Sequence, residues 1–454
     1  MTESLPRGPV LAWYGDDFTG AAAVMEALTF GGVPAVLFLD VPTRAQLDRF
    51  AGFGGIGVAG VARSKSPEWM DRALPPVFSF LKSLGAPLTQ YKVCSTFDSS
   101  PEIGSIGHAY DIGVPILGGR WTPLLVAAPL VHRYQMFGNL FAGVAGTYYR
   151  LDRHPTMSRH PVTPMREADL RIHLGRQTRE RIGLIDVVAM KAGTAQAALE
   201  QSIARGDRII SLDVADDDTL REAGRLVWQN RSERLFAIGS QGLEYALLAH
   251  WHAAGLVAEP SQPPRITRAD RVAAVSGSCS PVTAEQILWA QAHGFRVIRL
   301  DVTKAVEGSR VWEAEQERAV TAALATLSEG ADPLVVTACG PDDSAIDALR
   351  EALTASGADS SLVNLRIGEG LGQILSRVLR RTKLNRGIIA GGDTSSYATA
   401  ALGIYALTAL ASTVAGAALF QAHSENPEQA TLEIALKGGQ MGSPDYFGRI
   451  KLGG

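Results

Sequence analysis

The stretch WYGDDFTGAAAVMEAL, residues 13–28, decides the fold. An apolar run, VLAWY, enters it, and a helix-forming run, GAAAVMEAL, leaves it. A strand, a turn at Gly15 and then a helix make the repeating unit of a parallel α/β sheet. Asp17 or Thr19 can N-cap a helix beginning near Gly20. Capping needs only one such residue. Asp16 and Asp17 are adjacent carboxylates, which repel and must be solvated, capped or paired. The carboxyl end of a parallel strand is also where α/β sheets bind ligands. The residues alone leave capping and ligand binding both open.

Outward from this stretch, strand-like runs alternate with helical patterns: AVLFL, GIGVAGVA, PLLVAA, RIGLIDVV, RIISLDVA, RLFAIGS, RVAAVSGS, RVIRLDV, PLVVTACG and RGIIAGG. Several are continuous apolar runs, as expected of parallel strands covered on both faces. The reading is an α/β chain with mainly parallel sheets. At 454 residues it exceeds one ordinary core. The Pro-rich, polar stretch VAEPSQPPRITRADR, residues 257–271, predicts a break near 258–268, between an N-terminal domain, 1–260, and a C-terminal domain, 268–454.

Composition excludes several classes. A formal net charge of −3, with no basic run, gives no nucleic-acid footprint. Cys94, Cys279 and Cys339 are far apart and lack CxxC spacing, which argues against a disulfide framework or zinc site and fits a reducing cytoplasm. The N-terminus lacks the apolar core of a signal peptide. Thr394–Ser424 contains no Asp, Glu, Lys or Arg, but it is mostly small residues broken by Gly403 and Gly416. It reads as a buried helix followed by core strands, so the protein is expected to be soluble and cytoplasmic. GFGGIG, residues 52–57, matches GxGxxG but precedes a strand, and a turn is the better reading.

Other motifs carry chemistry. The polar burst KVCSTFDSS, residues 92–100, continues as PEIGSIGHA, residues 101–109. It offers Ser95, Thr96, Asp98, Ser99 and Ser100, a set suited to a polyhydroxylated ligand or to a turn before a helix. HPTMSRHPVTPM, residues 154–165, groups His154, Arg159 and His160 without an obvious third metal ligand. Arg159 is a cation able to grip a carboxylate. VSGSCSPVTAEQI (275–287), IIAGGDTSSYATAAL (388–402) and LKGGQMGSPDYF (436–447) are three Gly-rich loops, and the last carries Lys437. Backbone N–H groups, helix N-termini and a lysine together suit a nucleotide-phosphate cradle, though none matches the P-loop pattern.

Taken together, these stretches resemble the four-carbon acid sugar kinase family. Its DDxTGA motif is matched by Asp16, Asp17, Thr19, Gly20 and Ala21, and its GSxS loop by Gly277, Ser278 and Ser280. Its GGET or GGDT loop is matched by Gly391, Gly392, Asp393 and Thr394, and its KSGxxG loop by Lys437, Gly439 and Gly442, with Gly438 replacing the serine. The order agrees over nearly the whole chain. Members often carry DSTLRGNIG, whose arginine would bind the acid's carboxylate. Here the stretch runs Asp98-Ser99-Ser100-Pro101-Glu102-Ile103-Gly104-Ser105-Ile106-Gly107, without the arginine.

The resemblance implies an ATP- and Mg²⁺-dependent kinase that phosphorylates a terminal hydroxyl of a small sugar acid in an interdomain cleft. The acid would be four-carbon or branched, and a 3-oxo acid is conceivable. Asp16, Asp17, Thr19, Asp98, Ser99, Ser100 and Arg159 would bind it. Gly277, Ser278, Ser280, Gly391, Gly392, Asp393, Thr394, Lys437, Gly438 and Gly439 would hold the nucleotide. Asp17 is favoured as base over Asp393, which could instead serve Mg²⁺; the metal ligands are otherwise unassigned. No nucleic-acid or membrane partner is expected, and a homodimer is left open. The rivals are a non-catalytic sugar-acid sensor or effector, motivated by the absent arginine, and a nucleotide-dependent dehydrogenase, motivated by the α/β alternation.

Overall fold

The computed structural model describes residues 4–144, 146–160, 162–260, 265–412 and 417–453, without the side chains of Asp393 and Ser396. The chain forms two compact units, Met1–Ser261 and Gln262–Gly454.

In the first unit, strands β1 (Leu11–Gly15), β2 (Ala35–Phe38), β3 (Gly55–Val58), β4 (Leu88–Lys92) and β5 (Thr122–Leu125) come first. A small antiparallel sheet follows: β6 (Arg133–Met136), β7 (Asn139–Val144) and β8 (Thr147–Arg150). Strands β9 (Ile182–Ile185), β10 (Ile209–Leu212) and β11 (Leu235–Gly239) complete the main sheet. Its order is β2-β3-β1-β4-β11-β5-β10-β9, and every pairing is parallel.

From β1 the chain runs to β2 and β3 on one side, then to β4 on the other. The order therefore reverses between β1 and β4, the point at which open α/β sheets form a ligand crevice. Successive β1 side chains point to opposite faces. The Trp13 indole donates to Ala21 O (3.1 Å) in the helix Phe18–Phe30, whereas the Tyr14 ring meets Phe78 (6.3 Å) in the helix Pro67–Ser83. Both faces are thus covered, which accounts for the fully buried LAWYG pattern. A buried Phe or Leu in such a core contributes about 1.5–3 kcal/mol.

The second unit holds β12 (Ala273–Ser276), β13 (Phe295–Arg299), β14 (Asp332–Val336), β15 (Arg386–Ala390), β16 (Ile404–Ala411), β17 (Leu419–Ser424) and β18 (Glu433–Lys437). The order is β13-β14-β12-β15-β18-β17-β16, parallel through β18 and antiparallel beyond it. Here the order reverses between β12 and β15.

Several details refine the sequence reading. The first helix starts at Phe18, not near Gly20, because Asp17 takes the cap: its Oδ1 accepts from Gly20 N at 3.0 Å. GFGGIG is a turn (Gly52 φ +92°) leading into β3. The charge-free stretch contains the helix Gly392–Ala401 and strands β16 and β17, with 413–416 outside the described residues. No helix among the described residues is long and apolar enough to cross a membrane.

Candidate active site

The aspartate pair stands at the reversal between β1 and β4. The register Gly15↔Lys92 places the ends of the two strands side by side, and Asp16 N donates to Lys92 O (2.9 Å). Asp16 is 1% exposed. Its carboxylate accepts from Arg63 Nη2 (2.7 Å) and Nε (3.3 Å). Asp17 shares the same guanidinium, its Oδ1 accepting from Nη2 at 2.6 Å, while its Oδ2 accepts from Thr19 Oγ1 at 2.6 Å. One arginine therefore answers the repulsion between the two acids.

The acids differ electrostatically. Burial pushes the Asp16 carboxyl above the usual carboxylate range despite Arg63. Burial acts the same way on Asp17, but Arg63, Lys92, Thr19 and the Gly20 amide outweigh it and hold this carboxyl below that range. Asp17 also keeps about a quarter of its side chain exposed (26%). Lys92 is buried and donates to Val93 O (2.7 Å). A Cβ on Gly20 would lie 2.3 Å from Asp17 Oδ1 and 2.8 Å from Lys92 Nζ, so a side chain here would displace those two charged groups.

The loop after β4 is a chain of short contacts. Cys94 Sγ lies 2.9 Å from Thr96 Oγ1, which donates to Asp98 Oδ1 (2.7 Å). Ser99 turns inward: its hydroxyl meets Phe97 O (3.0 Å), His173 Nε2 (2.9 Å) and Gln177 Nε2 (2.9 Å). Burial first, and then Arg176, pull His173 down to about 4, so the imidazole in this network is neutral. Ser100 closes a turn, its hydroxyl accepting from Ile103 N (3.0 Å) and Glu102 N (3.2 Å). Asp16, Asp17, Thr19 and Asp98 thus line loops at adjacent strand ends, whereas Ser99 and Ser100 brace the second loop. Arg159 ends a short 3₁₀ turn, is exposed, and makes no ion pair among the described residues.

In the second unit the three Gly-rich loops follow β12, β15 and β18 and meet. Ser280 caps the helix Pro281–Ala292 by accepting from Thr283 N (3.1 Å), and it donates to Gly439 O. Thr283 Oγ1 donates toward Ser278 Oγ (3.0 Å) and Gly439 O (3.0 Å) and accepts from Lys437 Nζ (2.9 Å). Gly391 N donates to Lys437 O (2.9 Å). A Cβ on Gly277 would stand 2.1 Å from Thr394 Oγ1, so this glycine lets two of the loops touch. The helix Gly392–Ala401 has no side-chain cap, which leaves its first N–H groups for a ligand. Gly438 follows Lys437 and accepts from Nζ (3.1 Å). Asp393 stands in the helix's first turn, and its side chain lies outside the described residues.

Burial lowers Lys437 to about 8. A buried ammonium without a carboxylate partner among the described residues is a site that an incoming phosphate would stabilise.

A family model described as a sugar-binding N-terminal domain matches residues 11–247, and one described as a nucleotide-binding C-terminal domain matches 273–447. The chain belongs to the four-carbon acid sugar kinase family. This sugar-acid kinase is 49% identical to the 3-oxo-isoapionate kinase of Paraburkholderia graminis, over 99% of this chain and 95% of that one. It is 30% identical to the 3-oxo-tetronate kinase of Methylobacterium radiotolerans over 96% of each. A solved structure from Salmonella typhimurium LT2 aligns over 97% of both chains with a TM-score of 0.76 at 25% identity. With its nucleotide-binding C-terminal domain it is an ATP-dependent sugar-acid kinase.

Two site residues escaped the sequence reading. Arg63 is one cation in the loop after β3, and nothing local marks it as the partner of acids 46 and 47 positions away. Lys92 stands at the head of a polar burst, but its burial at a strand end emerges only from the sheet.

Proposed function

We propose that this kinase transfers the γ-phosphoryl group of ATP to a terminal hydroxyl of a branched 3-oxo sugar acid of the 3-oxo-isoapionate type. The observation that carries the substrate class is the 49% identity, over the full chain, to a kinase named for that acid. In the transfer, the acceptor oxygen forms a bond to the γ-phosphorus, the bond to the β-bridging oxygen breaks, and ADP leaves. The hydroxyl proton passes to Asp17, the more exposed of the two acids. Thr19 and Asp98 orient the hydroxyls, and Ser99 and Ser100 keep that loop in shape. Asp16, expected from the sequence to touch the acid, is buried with both oxygens on Arg63 and instead fixes that guanidinium beside Asp17.

The Gly-rich loops receive the phosphates: Gly277, Ser278, Gly391, Gly392 and Thr394 by backbone approach, and Lys437 by charge. Ser280, Gly438 and Gly439 hold the loops against one another. Mg²⁺ would neutralise phosphate charge. Such ions are carried mostly by phosphate oxygens and water with one or two carboxylates, and Asp393 is the acid assigned to it. Among the described residues no group of three His, Cys, Asp or Glu side chains is placed to hold a metal by itself.

A coupled ADP-release screen over four-carbon aldonates, 3-oxo-tetronates and 3-oxo-isoapionate tests this reading. The highest kcat/KM is expected for 3-oxo-isoapionate, and turnover of only linear four-carbon acids would overturn the substrate class. The absence of the family arginine from residues 98–107 favours a second reading, a sugar-acid sensor; tight acid binding without turnover would select it. The nucleotide assignment has its own check. A Cβ on Gly392 meets nothing within 4 Å, so Gly392→Val should fold yet obstruct the phosphate. The KM for ATP should rise about 10-fold or more, as for loss of a charge-assisted hydrogen bond; an unchanged KM would remove this loop from the site.

A further inference from the structure

A sugar acid carries a carboxylate, and residues 98–107, the loop that holds Asp98, contain no Lys or Arg to meet it. We infer that Arg133, at the start of β6, binds the substrate's carboxylate through its Nε–Nη2 edge and thereby sets the preference for acids. The inference rests on the proposed function above.

Topology brings Arg133 to the right end of the sheet. It follows β5 by way of a 3₁₀ turn, Pro129–Val131, and so lies beyond the carboxyl end of that strand, on the side where the Asp16–Asp17 and Cys94–Asp98 loops also emerge. One edge of its guanidinium is fixed. Nη1 donates to Val131 O (3.0 Å), His132 O (3.1 Å) and, more weakly, Gly143 O (3.4 Å). The opposite edge is free. Nε is buried and has no hydrogen-bond partner, and the hydrogen bonds that Arg133 makes among the described residues all come from Nη1, none from Nη2. A buried guanidinium N–H without an acceptor carries a desolvation cost that only a ligand or a water can relieve. The free Nε–Nη2 edge is the planar fork that takes a carboxylate in two parallel hydrogen bonds.

The electrostatic surroundings agree with the placement. Burial is the largest influence on Arg133 and lowers it, while the neighbouring Cys94 and Asp98 on the loop after β4 act in the opposite direction. The guanidinium is therefore within electrostatic reach of the loop whose Asp98 is assigned to the hydroxyls. An acid held between them would put its carboxylate on Arg133 and its hydroxyls on Asp98 and Asp17. Arg159, by contrast, is exposed and is held in no geometry by a side-chain contact among the described residues.

The test compares 3-oxo-isoapionate with its carboxamide, which keeps the size of the acid and loses the charge. In wild-type enzyme the acid should have the higher kcat/KM by about 10- to 100-fold, the range of one bidentate charged contact. Arg133→Ala should abolish that discrimination by raising the KM of the acid alone, with the KM of ATP and the carboxamide kinetics within about threefold of wild type. Arg133→Lys can still donate to the Val131 and His132 carbonyls but lacks the fork, and should fall between the two while keeping the wild-type melting temperature. Equal losses on acid and carboxamide in both variants would show a merely structural role and overturn the inference. So would full discrimination in Arg133→Ala together with its loss in Arg159→Ala. Failure of the wild-type enzyme to phosphorylate any acid of the screen would instead overturn the proposed function, and this inference with it.

Discussion

Asp17→Asn should lower kcat by about 10²- to 10⁴-fold, the range set by loss of a positioned general base, while the KM for ATP stays within about twofold. The substitution is mild for the fold. Asn is as good an N-cap as Asp, so the bond from Gly20 N survives, and Arg63 keeps its pairing with Asp16. What is lost is the capacity to take the hydroxyl proton. Because Arg63, Lys92 and Thr19 hold the Asp17 carboxyl below the ordinary range, the acid limb of the wild-type kcat profile should lie below that range too. The variant's residual activity should lack this limb. An unchanged kcat would remove Asp17 as the base and return attention to Asp393.

Arg63→Ala should be the most damaging change to stability. Removing one member of a buried ion pair leaves the other charged and desolvated, at a cost of about 3–5 kcal/mol. Asp16, 1% exposed, is the residue left behind. Its carboxyl is already pushed above the usual range by burial, and without the guanidinium it moves further up. A carboxyl raised in the folded state binds its proton more tightly there than in the unfolded chain. The deficit is therefore smallest in acid, below the unfolded value, and grows as pH rises toward the folded value. Urea midpoints at pH 5 and pH 8 should show the variant much closer to wild type at the lower pH. A deficit of the same size at both values would mean that Asp16 does not carry it. Asp17 should suffer less, since Lys92, Thr19 and the Gly20 amide remain beside it.

The parallel sheets were legible because buried parallel strands such as LAWYG and RGIIA are apolar on both faces and separated by long helical patterns. The small sheet β6–β8 was not. RYQM, NLFAGV and TYYR are short, partly exposed and rich in polar or small residues, and they lack the period that betrays a covered strand. That blind spot is why Arg133 escaped notice. The Gly-rich loops could be read individually, since glycine next to a strand end is a local signal. The bonds that join them, such as Ser280 to Gly439 across 159 positions, are not local. Ser99 illustrates the converse. A serine in a polar burst reads as a ligand group, yet His173 and Gln177, more than seventy positions on, claim its hydroxyl. At Asp17 the cap uses Oδ1 and 26% of the side chain stays exposed, so capping by itself does not exclude a ligand.

The central claim is that ATP phosphorylates a small 3-oxo sugar acid, and ³¹P NMR of the reaction tests it most directly. With ATP, Mg²⁺ and 3-oxo-isoapionate, the account predicts loss of the γ-phosphate resonance and matching growth of ADP and of one phosphomonoester signal. That signal should be split by the two protons of a terminal CH₂O group. ATP consumption that yields only inorganic phosphate, or an unchanged spectrum despite saturable binding of the acid, would contradict it.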